Sequence, residues 1–160
     1  MGNKEATETV EEISKINFSG NIIPQNWFKF IKFPSGKPDL LGVMILSEVI
    51  YWYRASEVRD EATGQMVGQE RKFKADKLQR NYQSFADQFG VSKRQVQEAI
   101  RRLKEAGIIT IELRTITLDS GMVLNNVPYI EPVVPKIIEI TNTYHVQMYE
   151  GVRSNVIVIR

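Results

Sequence analysis

Basic and amide side chains recur at helical spacing within residues 93–102, where they could recognise nucleic acid. The outward-facing set is Arg94, Gln97, Glu98 and Arg101, with Lys93 and Arg102 on its flanks. Guanidinium and amide groups hydrogen-bond to base edges in the major groove of DNA, and cationic groups pair with its phosphates. The opposite face of the same predicted helix is apolar and consists of Val96, Ala99, Ile100 and Leu103. One face would therefore be buried while the other meets double-stranded DNA.

Residues 82–110 predict a helix-turn-helix that would hold these side chains. Gly90 can adopt the positive φ needed between two short helices that meet at a steep angle. Ser92 is a natural N-cap with a glutamine three residues later, which predicts a second helix over residues 92–106. Gly107 is its predicted C-cap. Ser92 is also counted among the candidate DNA contacts because it stands at the start of that helix.

The positive charge of the chain is concentrated on this region. The whole chain has a net charge of only +2. Residues 71–104 contain ten Lys or Arg and three Asp or Glu, a local balance of 10 − 3 = +7, whereas residues 55–70 contain one basic and four acidic residues. An ordinary helical hairpin with a solvated basic face is the other interpretation of this charge. The coincidence of charge and motif favours DNA as the partner.

The composition argues against an enzyme, a cofactor or a metal site. Cysteine is absent and His145 is the single histidine, so neither a thiolate site nor a histidine cluster can form. The sequence contains no nucleotide-binding glycine loop and no nucleophile elbow. No apolar run is long enough to cross a bilayer, and the polar, acidic N-terminus is unlike a signal peptide. We therefore predict a cytoplasmic protein with no membrane partner.

The segments around the helix-turn-helix predict a winged helix. Residues 39–54 are apolar on nearly every side, which is typical of a buried central helix. Residues 109–130 alternate in polarity and turn at residues 119–121, which predicts a two-stranded ribbon, or wing. The alternation changes phase at residues 114–115, which indicates a bulge or a bend. The predicted fold class is therefore α+β.

Three basic residues outside the second helix are further candidate DNA contacts, namely Lys77, Arg80 and Arg114. Lys77 and Arg80 belong to a segment that leads through a short predicted strand into the helix-turn-helix. They could touch phosphates or simply keep an edge strand soluble. Arg114 would lie on the wing beside the second helix, where an ordinary exposed strand residue is the other interpretation.

The chain is predicted to be one winged-helix domain, residues 16–141, between two extensions. Residues 1–15 are polar and acidic, which predicts a flexible tail. The domain would begin with an N-terminal arm, residues 16–31, pinned by its aromatic side chains. Residues 142–160 alternate around a turn and predict a C-terminal β-hairpin extension. Because exposed β edges recruit partners, these strands could pair with a second chain in a homodimer.

Several stretches resemble a known family. NIIPQNWFKFI, VIYWYR, FKADKLQRNYQSFADQFGVSKRQVQEAIRRL and RTITLDSGMVLNNV are similar to the N-terminal winged-helix region of replication initiator proteins from phages and mobile elements of Gram-positive bacteria. That family in turn resembles the winged-helix domain of DnaD-type replisome organisers. The resemblance covers residues 21–141.

The resemblance implies a role in replication, with the second helix on origin DNA and other replication proteins as partners. It places Lys93, Arg94, Gln97, Glu98 and Arg101 at the groove. Two alternatives stay open on the same scaffold. One is a transcriptional regulator, and the other is a protein-docking or self-assembly module that does not bind DNA.

Overall fold

The computed structural model describes residues 2 and 4–141, which form six helices and two small antiparallel sheets. The helices are α1 (Glu8–Ser14), α2 (Trp27–Phe30), α3 (Leu40–Tyr53), α4 (Tyr82–Phe89), α5 (Lys93–Glu105) and α6 (Val134–Thr141). The strands are β1 (Ser56–Arg59), β2 (Met66–Glu70), β3 (Leu78–Gln79), β4 (Ile109–Thr117) and β5 (Val123–Pro132). The predicted α+β class is confirmed. The β-hairpin predicted at residues 142–160 lies outside the described residues.

Helix α3 is the centre of the core, as its apolar sequence predicts. Its N-cap is Asp39, whose Oδ1 accepts the Gly42 N–H at 3.0 Å. Several of its side chains have no solvent exposure, namely Val43, Ile45, Leu46 and Val49. They pack against α5 and β5. Removal of this apolar surface from water is the main force that holds the helix-turn-helix to the sheet.

The larger sheet has the strand order β3-β5-β4, so the last strand lies between the other two. Leu78 pairs with Ile130 across β3 and β5. Tyr53 of α3 fixes this pairing, because its hydroxyl accepts the Leu78 N–H at 3.1 Å and donates to the Ile130 carbonyl at 2.5 Å. The register between β4 and β5 shifts between Arg114 and Ile116. This irregularity coincides with the bulge or bend predicted there, and the extra residue lies on β5, where Asn125 and Asn126 face Thr115.

The smaller sheet is an exposed hairpin inserted between α3 and β3. Strands β1 and β2 pair antiparallel, and their side chains are almost all exposed. Asp60 closes the connecting turn, since its Oδ1 accepts the backbone N–H groups of Ala62 and Thr63.

The N-terminal arm is attached to the far end of the described chain. Trp27 is 1% exposed, and its indole N–H donates to the Thr141 hydroxyl at 2.8 Å. Within the predicted tail, residues 8–14 form α1, which has no buried side chain. None of the described helices combines the length and apolarity needed to span a membrane.

Candidate nucleic-acid interface

The turn between α4 and α5 has the predicted geometry. Gly90 adopts a left-handed conformation with φ 68°, a region that residues with a Cβ disfavour. Ser92 caps α5, because its Oγ accepts the Gln95 N–H at 3.1 Å while the Gln95 Oε1 accepts the Ser92 N–H at 2.9 Å. This reciprocal capping box fixes where α5 begins. The helix ends at Glu105, with Ala106 as the C-cap and Gly107, at φ 73°, directly after it.

Helix α5 has one buried and one exposed face. The buried side chains are Val96, Ala99, Ile100 and Leu103, which pack in the common core with α3 and α4. The exposed side chains include Lys93, Arg94, Gln97, Arg101 and Lys104. The structure therefore brings together four of the predicted DNA contacts, Lys93, Arg94, Gln97 and Arg101, and adds Lys104.

Two ion pairs lie on this exposed face. Arg94 Nε is 3.3 Å from Glu98 Oε1, and Arg101 Nη1 is 3.1 Å from Glu105 Oε1. Exposed pairs at this spacing are worth only about 0.3–0.5 kcal/mol, so a phosphate can replace the carboxylate at small cost. Glu98, a predicted DNA contact, is half-buried and accepts a hydrogen bond from Arg94.

Arg102 lies at the border of the exposed face and pairs with a buried carboxylate. Its Nε and Nη2 donate to the two carboxylate oxygens of Asp39 at 2.7 and 3.3 Å. Its guanidinium carbon also lies 4.6 Å from the centre of the Phe33 ring. Asp39 is 1% exposed. We therefore leave Arg102 out of the proposed DNA contacts, because its charge compensates a buried carboxylate.

Arg80 likewise forms an ion pair with a carboxylate, that of Glu48 in α3. Arg80 Nη1 donates to Glu48 Oε1 at 2.8 Å. The same carboxylate accepts hydrogen bonds from Asn21, Trp52 and Gln88. Burial alone would raise the pKa of Glu48, but the hydrogen bonds from Asn21, Gln88, Arg80 and Trp52 together lower it to about 2. This network joins the N-terminal arm, α3 and α4.

Lys77 and Arg114 meet at the base of the wing. Arg114 donates through Nη1 and Nη2 to Asp76 at 2.7 and 3.0 Å, and through Nε to Glu112 at 2.9 Å. Lys77 Nζ is 3.0 Å from Glu112. Hydrogen bonds from Arg114 hold the pKa of Asp76 at about 2, and those from Arg114 and Lys77 do the same for Glu112. The charges of the two cations and the two carboxylates cancel, so this cluster has little net positive charge with which to attract a phosphate.

The wing beyond Arg114 carries apolar rather than basic side chains. Residues 115–130 contain no Lys or Arg and one acidic residue, Asp119. Leu118, Met122 and Val123 are exposed near its tip. The absence of cations from this part of the wing is already visible in the sequence.

The clefts of the described residues include two open ones, and these residues contain no cluster of metal-ligating side chains. The larger, about 700 Å³, is an apolar groove between the end of α3 and α6, lined by Ile50, Tyr53, Val134 and Ile137 among others. Comparisons with protein-family models, with curated proteins and with solved structures give no match to this chain.

Proposed function

We propose that this chain is a DNA-binding winged-helix module of a phage-type replication initiator, with α5 in the major groove of double-stranded DNA. The observation that carries the proposal is the exposed face of α5, with four cations and an amide on one side of a firmly capped helix. The element order α3-β3-α4-α5-β4-β5 and the strand order β3-β5-β4 support a winged helix. The replication role rests on the sequence resemblance.

The dimensions of α5 suit a groove. Thirteen residues make a helix about 20 Å long, and a helix with its side chains is about 10–12 Å wide, close to the width of the major groove. Residues near the start of a recognition helix reach base edges. Arg94 and Gln97 therefore suit base contacts, and Lys93, Arg101 and Lys104 suit phosphate contacts.

A mutation series tests the DNA contact. Arg94→Ala should cost about 1–3 kcal/mol of binding free energy on a cognate duplex if Arg94 forms a bidentate contact with a base, and less on random DNA. Arg59→Ala is the matched control, since Arg59 is also exposed and ion-paired but lies in β1. Fluorescence anisotropy over a salt series measures both variants. Equal losses on cognate and random DNA would make Arg94 a phosphate contact.

The biological role requires a footprint on genomic DNA. Protection at an origin or within the chain's own coding region supports replication. Protection at promoters supports a transcriptional regulator on the same scaffold.

A protein-docking module is the second candidate, and the wing favours it. Leu118, Met122 and Val123 are exposed near the tip of the ribbon, where residues 115–130 contain no Lys or Arg, and such a surface is suited to apolar contact and poorly suited to phosphates. Sedimentation over a concentration series, with wild type and Met122→Asp, tests self-association through this ribbon. The absence of binding to any duplex at about 50 mM salt, where phosphate contacts are strong, would leave this candidate in place of the first.

A further inference from the structure

Residues 31–39 form a small rigid loop, here called the arm loop, between α2 and α3. Backbone hydrogen bonds close it at three points, from Phe33 N–H to Lys37 O, from Gly36 N–H to Phe33 O and from Asp39 N–H to Ile31 O, each 2.9 Å. Both ends are buried, since Ile31 is 4% and Asp39 1% exposed. The residues between them are all exposed. The arm loop is therefore a fixed projection on the protein surface.

The arm loop is attached directly to the flank of α5. Arg102 reaches across from α5, binds Asp39 at the end of the loop and stacks on Phe33 near its tip. Arg102 lies about 80–100° around the helix from Arg94 and Arg101, at the border between the buried and exposed faces. The loop thus stands beside the exposed face, on the side of Arg102.

Apart from the buried Asp39 at its end, the arm loop contains no acidic residue, and its exposed charged side chains are basic. Residues 16–38 contain Lys29, Lys32 and Lys37 and no Asp or Glu. Among the described residues, no carboxylate lies within ion-pair distance of Lys32 or Lys37. Asp39, the nearest carboxylate in the chain order, is buried against Arg102. Lys32 and Lys37 are therefore cations beside α5 that form no ion pair with the described residues.

We propose that the arm loop is a second DNA-contacting element, in which Lys32 and Lys37 bind the phosphates of a strand that borders the groove holding α5. This inference rests on the proposed function. A helix nearly fills the major groove, and a phosphate strand runs along each side of it. In this arrangement, an element fixed against the flank of that helix would lie beside one of these strands. Phosphate contacts of this kind set the orientation of the helix without reading sequence.

The test compares the full chain with three variants on one duplex over a salt series. Lys32→Gln/Lys37→Gln should lower the slope of log K against log [salt] by about 1.8, since each phosphate contact contributes about 0.9. Affinity at about 0.1 M salt should fall between roughly tenfold and a hundredfold by the same relation. Lys4→Gln/Lys136→Gln removes the same charge from other elements and serves as the control. Arg94→Gln/Arg101→Gln reports on α5.

The outcomes separate the two proposals. A slope reduced in the arm-loop variant and unchanged in the control supports the second contact. If the α5 variant loses affinity while the arm-loop variant behaves like the control, the arm-loop proposal is wrong and the α5 contact stands. If wild type binds no duplex, both are wrong. Because Lys32 and Lys37 are exposed, thermal melts of the variant should match those of wild type.

Discussion

Arg102 of α5 binds the buried Asp39 that caps α3, although its neighbour Arg101 is exposed on the other side of the same turn. The Nε–Oδ2 distance is 2.7 Å, and the two residues are 63 positions apart. The contact joins the start of the central helix to the last turn of the proposed recognition helix. Two adjacent arginines thus have different roles, one in stability and one at the candidate interface.

The two arginines should respond to the same substitution in opposite ways. Arg102→Gln should lower the free energy of unfolding by about 2 kcal/mol, because it leaves the Asp39 carboxylate buried without its cation. Arg101→Gln should change it by less than about 0.5 kcal/mol. DNA titrations should show the reverse, with a salt slope about 0.9 smaller for Arg101→Gln and unchanged for Arg102→Gln. Urea unfolding and anisotropy measure the two quantities.

Gly42 should not tolerate alanine, although alanine is the better helix former. A Cβ at this position would lie 2.8 Å from Asp39 Oδ2 and 2.9 Å from its Cγ. Displacement of Asp39 would weaken both the N-cap and the Arg102 contact. We expect Gly42→Ala to destabilise the protein by about 1–3 kcal/mol, despite a propensity gain of about 1 kcal/mol.

The control for Gly42→Ala is Gly68→Ala in the exposed strand β2. A Cβ at Gly68 meets no atom within 4 Å, so its effect should be neutral or slightly stabilising. A Gly42→Ala variant as stable as wild type would show that the Asp39 cap can move freely.

Glu48 should contribute to the free energy of unfolding, and this contribution should be lost in acid. Its pKa in the folded protein is about 2, below the usual 4.5. The charged carboxylate therefore stabilises the fold fully above pH 4.5, and this contribution is lost as the pH falls from 4.5 to about 2. Its size is of order 3 kcal/mol. The difference in unfolding free energy between wild type and Glu48→Gln should shrink over the same range. A difference that does not change with pH would contradict this assignment.

Arg114 should control the titration of two carboxylates at the base of the wing. The pKa values of Asp76 and Glu112 are both about 2, mainly because Arg114 donates to each. In Arg114→Gln, the pKa of Asp76 should return toward 3.8 and that of Glu112 should rise toward 4.5, as carboxyl-carbon NMR would show. Lys77 still contacts Glu112, so Glu112 should recover less fully. The slope of log K against log [salt] for DNA binding should be unchanged, because Asp76 and Glu112 already neutralise the charge of Arg114.

Local rules predicted the helix-turn-helix correctly because its signals lie within a few residues of one another. The capping box of Ser92 spans three residues, and the apolar repeat of α5 follows directly from helix geometry. The bulge near Arg114 was visible as a change of phase in the alternation.

The sequence by itself determined the bounds of α5 to within one residue, the turn before it, and which face of α5 is apolar. Only the tertiary structure decided which basic residues remain available to a partner. Arg80 and Arg114 are joined to carboxylates 32 and 38 positions away, and Arg102 to one 63 positions away. The periodicity of a sequence shows which residues three or four positions apart share one face of a helix. An ion pair between distant residues depends instead on which elements the folded core brings together. The same packing places Lys32 and Lys37 beside α5, a position that no local pattern specifies.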